Sequence, residues 1–495
     1  MAAKSVCRLS LARAFRLGYR AAVMTRDSSS KTHSTAERTV RAVLVGVQLP
    51  GVSEAEVSAS LDELSRLAKT LGLVTVARLT QPRQTTLQST VLGAGKLREL
   101  AALTGGRGVV PSPARKRRKG AKPNLDVDDE GSVEGLVGEQ VAEEDRADVV
   151  LFDHDLSPSQ LRNLEGATGA EVLDRSSVIV NIFQRHARTR EARLQVEIAR
   201  LGYLAPRLRA TGGGGDRQRG GIGGKGAGES SLELDRRRVR DRIAELKREL
   251  VTVQREGDTR RARRSQQDTV ALVGYTNAGK SSLMRKLTGS DVLVRDQLFA
   301  TLETTVRVLK PETLPRILIS DTVGFVKKLP HDLVASFRST LEEAREAALL
   351  LYVVDASDAA WRSQYEVTRT VLAELGAEEM ESLLVLNKAD CLDEEAKATF
   401  AEEFPDALVM SAHSDSDVAM LHRHLAAHFE RDMGEHELLV PYWQGGLVHT
   451  IHESCRVLSE AHGPDGTTLV VRATEATVDG FRAKVEGGRS SWSKP

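Results

Sequence analysis

The chain has 495 residues, too many for one ordinary hydrophobic core at roughly 100 to 200 residues per domain, so several domains are expected. Lys+Arg 70 against Asp+Glu 69 leaves a formal net charge of +1, which excludes a global positive field as the means of holding nucleic acid and leaves only local patches. Cys7, Cys391 and Cys455 stand far apart without metal-ligand spacing, against a disulfide scaffold or zinc site, and no apolar run approaches the ~20 residues that cross a bilayer.

Residues 1–38 read as a basic tail. Met1 to Arg26 carries Lys4, Arg8, Arg13, Arg16, Arg20 and Arg26 and no acidic residue. Two readings stay open: an organelle presequence, or a disordered extension ahead of a second start at Met24.

From Thr39 the texture changes. Ala42–Gly46 is a buried-strand run, Val57, Leu61, Leu64 and Leu71 form a helical stripe, and Leu73–Ala77 is a second strand. Val91–Lys96 opens a helical run through Leu97 and Leu100, and strands follow at Asp148–Phe152 and Glu171–Leu173. Alternation of this kind predicts an α/β domain over residues 39–180. It is broken at 111–145, where the basic Ala114–Lys119 gives way to an acidic stretch, as in a disordered loop.

Residues 181–264 carry two apolar seams, Leu194, Ile198 and Leu201, then Leu232, Val239, Ile243, Leu246, Leu250 and Val253 at heptad-like spacing. Two such helices joined by a connector are expected to pair as an antiparallel hairpin. The connector, 206–228, is glycine-rich and studded with cations, and reads as a mobile tip; Arg260–Arg264 reads as a basic linker. A strand, loop, helix pattern fills 265–435. Residues 436–495 show strand Leu438–Val440, a helix from Gly446 to about Leu458, a turn at Gly463–Gly466 and strand Thr468–Arg472, a small α+β domain.

Chemistry concentrates in 265–435. The apolar strand Val270–Val273 runs into Gly274, Tyr275, Thr276, Asn277, Ala278, Gly279, Lys280 and Ser281, followed by a helix opening at Ser282. Glycines at these spacings let backbone N–H groups turn inward around phosphate oxygens. Lys280 is expected to reach the β- and γ-phosphates and Ser281 to offer its hydroxyl to Mg²⁺. Strand Arg316–Ser320 ends in Asp321, Thr322, Val323 and Gly324, where the carboxylate can hold Mg²⁺ through water and the glycine N–H can sense the γ-phosphate.

Base choice rests on strand Leu383–Leu386, which delivers Asn387, Lys388 and Asp390 to the carboxyl edge of the sheet. A carboxylate accepts from guanine's ring N–H and exocyclic amine, which adenine cannot supply, so the substrate is GTP. Strand Leu408–Met410 presents Ser411 and Ala412 to the guanine oxygen. Between the two phosphate elements, Gln297–Arg307 is polar enough for a mobile switch, with Thr305 expected to close over Mg²⁺ and Thr304 as the second choice. Lys280, Thr305 and Gly324 are the residues expected to carry catalysis. Phe325 occupies the place where many such enzymes have a water-orienting glutamine, a task phenylalanine cannot perform. A second glycine pattern, Leu92–Lys96, lacks the full phosphate-loop spacing and leaves a structural turn or a second nucleotide site as readings.

These motifs, together with Asp153–Asn163, Arg188–Glu191, Leu194–Glu197, Gly220–Glu229, Asp235–Arg238, Asp296–Leu302 and Leu329–Leu333, resemble the HflX-type ribosome-associated GTPases from about Thr39 onward. The resemblance implies an α/β multidomain chain: an N-terminal α/β domain with an antiparallel helical hairpin, a Ras-like P-loop GTPase domain and a small α+β C-terminal domain. It further implies a cytoplasmic monomer that binds the large ribosomal subunit and its rRNA and, in the GTP state, splits stalled or idle ribosomes. Peripheral membrane association and a mitochondrial location are the other readings of place. The tip would enter rRNA, with Arg217, Arg219 and Lys225 neutralising phosphates. Asn277 would help hold K⁺ in place of an arginine finger. Two departures touch detail: Lys225 and Ala227 replace Arg and Pro in the tip, and Glu303–Arg307 replaces a more usual Asp-Pro-Thr. A GTP-regulated assembly or quality-control factor without splitting activity is the competing function.

Overall fold

The computed structural model describes residues 39–110, 145–208, 231–264, 268–290, 298–299, 304–314, 316–328 and 343–492. Expectations for 1–38, for 111–144 and for most of the glycine-rich tip, Arg217, Arg219 and Lys225 included, lie outside them. The chain forms two compact units, Met1–Ile182 and Phe183–Pro495.

The first unit is built on a four-stranded sheet of β1 (Arg41–Gln48), β2 (Val74–Pro82), β3 (Val149–Phe152) and β4 (Glu171–Asp174), all parallel, in the order β2-β1-β3-β4. Near-continuous apolar runs such as Ala42–Val45 suit a parallel sheet covered on both faces. Its helices are α1 (Glu54–Thr70), α2 (Ala94–Thr104), α3 (Pro158–Thr168) and α4, which starts at Arg175. The polar spacing around Ser53 explains where α1 begins: Glu56 N donates to Ser53 Oγ at 3.2 Å and Ser53 N to Glu56 Oε2 at 2.8 Å. Strand β2 outruns the expected Ala77 because β1 continues beside it to the Gln48 and Pro82 pair. Leu92–Lys96 is a helix start: Gly93 caps α2 and donates its N–H to Gln81 Oε1 at 2.8 Å, while Lys96 pairs with Glu99 at 2.8 Å.

A buried ionic cluster escaped the sequence reading. Arg175, 1% exposed, donates through Nη1 to Asp153 at 2.7 Å and through Nη2 to Glu63 at 2.5 Å, and Ser60 Oγ donates to Asp153 at 2.7 Å.

In the second unit, α5 (Arg190–Leu204) packs Leu194, Ile198 and Leu201 against Val239 and Leu246 of α6 (Ser231–Arg264). The Arg260–Arg264 stretch expected as a linker is instead the last turn of α6, since arginine and alanine are good helix formers and no proline intervenes. A six-stranded sheet follows: β5 (Thr269–Val273), β6 (Thr305–Val308), β7 (Leu318–Asp321), β8 (Leu349–Asp355), β9 (Ser382–Asn387) and β10 (Leu408–Val409). The order is β10-β9-β8-β5-β7-β6, parallel except for β6 against β7. Helix α7 (Lys280–Thr288) buries Leu283 and Leu287 in the core formed by Leu272, Ile319, Leu351 and Val385. Helices α8 (Trp361–Glu374), α9 (Glu394–Glu403) and α10 (Asp415–Glu430) complete the alternation.

The last sheet, order β11-β13-β12, is antiparallel: β11 (Gly434–Val440), β12 (Arg456–Gly463) and β13 (Gly466–Ala473). Helix α11 (Gly445–Ser454) ends four residues before the expected Leu458, because Cys455 turns extended at φ −130° and ψ 152° and leads into β12. A further helix, α12 (Glu475–Trp492), places Val478 and Phe481 against Leu438 and Leu469. Among the described residues no helix is long and apolar enough to cross a membrane.

Candidate functional site

The six-stranded sheet gathers its motifs along the carboxyl edge of its parallel strands. Between β5 and α7 the loop turns sharply at Gly274, φ +151°, where an added Cβ would lie 2.1 Å from the Val353 carbonyl oxygen. At Gly279, φ +97°, it would lie 2.2 Å from Asn387 Nδ2. Only glycine fits either place. Asn277 also adopts a left-handed φ of 63° and is exposed. Ala278 is buried, and Ser282 sits in the first turn of α7.

Lys280 folds back into this loop, where its ammonium donates to the carbonyls of Gly274 at 3.0 Å and Tyr275 at 2.7 Å. Burial disfavours its charge and pulls the pKa down to about 8, against the opposing pull of Asp321. Ser281 Oγ donates to Asp321 Oδ2 at 2.8 Å, and Thr322 Oγ1 donates to the Leu272 carbonyl at 2.7 Å. A hydroxyl and a carboxylate side by side at a helix N-terminus are hard oxygen donors of the kind Mg²⁺ takes. The residues present therefore fit the ion. Gly324 lies close to the loop, its Cβ position 3.0 Å from Lys280 Nζ, and Val323 is buried beside it. Thr276 Oγ1 is buried with no hydrogen-bond partner among the described residues.

Thr305 reaches the same neighbourhood in a different way from that expected. It opens strand β6 and pairs with Asp321 across the antiparallel ladder, because the Thr305, Val306 and Val308 side chains suit a strand better than a loop. Within the segment expected to be mobile, Phe299 is 1% exposed and stacks edge-on against Phe183, ring centroids 4.6 Å apart.

At the other end of the edge, Asn387 bridges two elements. Its Nδ2 donates to the Ala278 carbonyl at 2.8 Å and its Oδ1 accepts from Ala412 N at 2.9 Å, tying the phosphate loop to the turn after β10. Lys388, φ 65°, donates to Asp355 Oδ2 at 2.6 Å. Asp390 is exposed and accepts from Ser411 Oγ, a hydrogen bond that holds its carboxyl below the usual range. Ser411 is itself placed by its N–H to Asp417 Oδ2 at 2.9 Å. Asp355 and Asp417 were not anticipated; a strand that closes its apolar run on a carboxylate at the site edge, as Leu349–Asp355 does, was the available signal.

Sequence models of three families match the chain. One described as GTP-binding GTPase N-terminal covers residues 58–110 and 117–184, one described as GTP-binding GTPase Middle Region covers 186–264, and one described as 50S ribosome-binding GTPase covers 269–388. The GTPase HflX of Gluconacetobacter diazotrophicus is 59% identical over 437 residues, 88% of this chain and 96% of that protein. The chain belongs to the HflX family of GTPases. The HflX protein of Escherichia coli is 42% identical over 331 residues, covering 66% of this chain and 78% of that one. Among solved structures, a GTP-binding protein of Sulfolobus solfataricus in complex with GDP aligns over 78% of this chain and all of its own, at 20% identity and a TM-score of 0.40. As an HflX-family member the protein is a GTP-hydrolysing enzyme that uses GTP and Mg²⁺.

Held against phosphate, Lys280 is expected to give the site a pH dependence. Bound phosphate favours the charged amine, whereas the free protein holds it only up to about pH 8. GTP affinity is therefore expected to be flat below pH 8 and to fall about tenfold per unit above it. Titration with a fluorescent GTP analogue from pH 7 to 9 checks this; a flat profile counts against it.

Proposed function

We propose that the chain binds the large ribosomal subunit and, in its GTP state, dissociates stalled or idle ribosomes, hydrolysis serving for release. The convergence of Gly274–Ser282, Asp321–Gly324, Asn387–Asp390 and Ser411–Ala412 on one sheet edge carries the nucleotide half of this reading. The description 50S ribosome-binding GTPase for the family matched by residues 269–388 supports the other half.

Loop amides and Lys280 hold the phosphates, Asp390 and the Lys388 stem hold guanine, and the Ser411–Ala412 backbone lies against the guanine oxygen. Ser281, Asp321 and Thr305 would hold Mg²⁺, which would supply positive charge against the phosphates. Gly324 N–H senses the γ-phosphate. Phe325 is 2% exposed and cannot orient water, so the enzyme is a slow clock until the ribosome stimulates it. Asn277, exposed on the loop, would help hold K⁺; faster hydrolysis in KCl than in NaCl is expected, and equal rates remove the idea.

In this reading residues 39–180 are an N-terminal domain, 181–264 an antiparallel hairpin, 265–435 the GTPase domain and 436–495 a closing domain. The hairpin tip, with Arg217, Arg219 and Lys225, contacts rRNA, and the protein acts as a cytoplasmic monomer. Sedimentation of ribosomes with the protein and a nonhydrolysable GTP analogue tests the proposal. Separated subunits are expected; bound but intact ribosomes would favour an assembly or quality-control factor instead.

A further inference from the structure

We propose that Tyr275 is a positioning residue for GTP hydrolysis, its phenol hydroxyl holding the backbone that follows Gly324 in register with the phosphate loop; this rests on the assignment of that loop to the γ-phosphate. Three hydrogen bonds stitch the two segments together. Thr276 N donates to the Phe325 carbonyl at 2.8 Å, Phe325 N donates to the Gly274 carbonyl at 3.1 Å, and Lys327 N donates to Tyr275 Oη at 2.6 Å. The first two form a short parallel bridge between Tyr275 and Phe325. The third is the only one of them made by a side chain.

The location gives that hydroxyl its weight. With Phe325 packed inward its side chain cannot align water, and its own N–H and carbonyl are engaged in the bridge, which leaves Gly324 as the backbone group assigned to the γ-phosphate. Backbone positions a reactant only if it is held on both sides of the working group. The bridge holds the N-terminal side at Phe325, and Tyr275 holds the C-terminal side at Lys327, where the chain turns through Lys328 at φ 57°. Tyr275 is 6% exposed, so its hydroxyl does not trade this bond freely for water. The ring comes from the loop that grips the phosphates, so one residue couples phosphate binding to the placement of the segment that acts on the γ-phosphate.

The test removes the bond from each side in turn. Tyr275→Phe deletes the acceptor oxygen and keeps the ring; Lys327→Pro deletes the donor N–H together with the lysine side chain, and is read against Lys327→Ala, which loses the side chain alone. Each is expected to lower single-turnover kcat about 3- to 10-fold, the worth of one hydrogen bond, with GDP affinity unchanged. The double variant is expected to be no slower than the slower single one, because both changes remove the same contact. Unchanged kcat in Tyr275→Phe, or losses that multiply in the double variant, would overturn the proposal. A fall in GDP affinity matching the fall in kcat would also overturn it, since the hydroxyl would then serve binding alone. Lys280→Ala, run beside them, reports on the loop assignment: if it hydrolyses GTP as the wild type does, that assignment fails rather than the role of Tyr275.

Discussion

Asp390→Asn is expected to weaken GTP binding by about 10²- to 10⁴-fold and to make xanthosine triphosphate the preferred nucleotide. The carboxylate offers two acceptors to guanine, whose ring N–H and exocyclic amine are both donors. An amide turns one acceptor into a donor, so donor would face donor, and each unsatisfied group costs about 1 to 3 kcal/mol, with about 1.4 kcal/mol per factor of ten. Xanthine carries a carbonyl where guanine has the amine and accepts from the new amide. The surroundings favour a clean exchange. Ser411 Oγ donates to Asp390 Oδ1 and can donate equally to the amide oxygen, which leaves the new N–H₂ on the other side. Competition titrations with both nucleotides decide the matter; GTP binding retained within tenfold would remove Asp390 from base recognition.

Arg175→Met is expected to destabilise the first unit by about 3 to 5 kcal/mol, the usual cost of taking one partner from a buried ion pair. The side chains of Glu63 and Asp153 are 7% and 4% exposed, and both carboxylates bond the guanidinium directly. Methionine fills the volume but leaves two buried negative charges without their cation. Removing the charges together, with Glu63→Met, Asp153→Leu and Arg175→Met, is expected to cost far less than Arg175→Met alone, since no uncompensated ion remains. Hydrogen exchange of the β1, β3 and β4 amides measures both variants. Equal protection in Arg175→Met and wild type would show the cluster to be energetically idle.

Much of the candidate site was legible in the chain because its motifs are local. A strand that runs into a glycine-spaced loop and then a helix presents amides to phosphate wherever it occurs, so Gly274–Ser281 could be placed before any fold was known. Asn387, Lys388 and Asp390 follow one apolar strand by the same logic. Alternation of apolar strand runs with helical stripes likewise carried the α/β organisation. Local pattern misled where neighbours in space decided: β12 forms because β13 offers it a partner, and Thr305 lies in a strand because β7 lies beside it.

By itself, then, the sequence carried the short motifs: the glycine-spaced loop Gly274–Ser281, the Asn387–Asp390 group and a phenylalanine rather than a glutamine at position 325. Only the tertiary structure decided how those segments are held. Asn387 lies 109 residues from its phosphate-loop partner Ala278, Lys388 lies 33 from Asp355, Tyr275 lies 52 from Lys327, and Arg175 lies 112 from Glu63. No periodicity or spacing records such pairings, because they exist only once packing has brought distant chain together and removed the water that would otherwise satisfy each group.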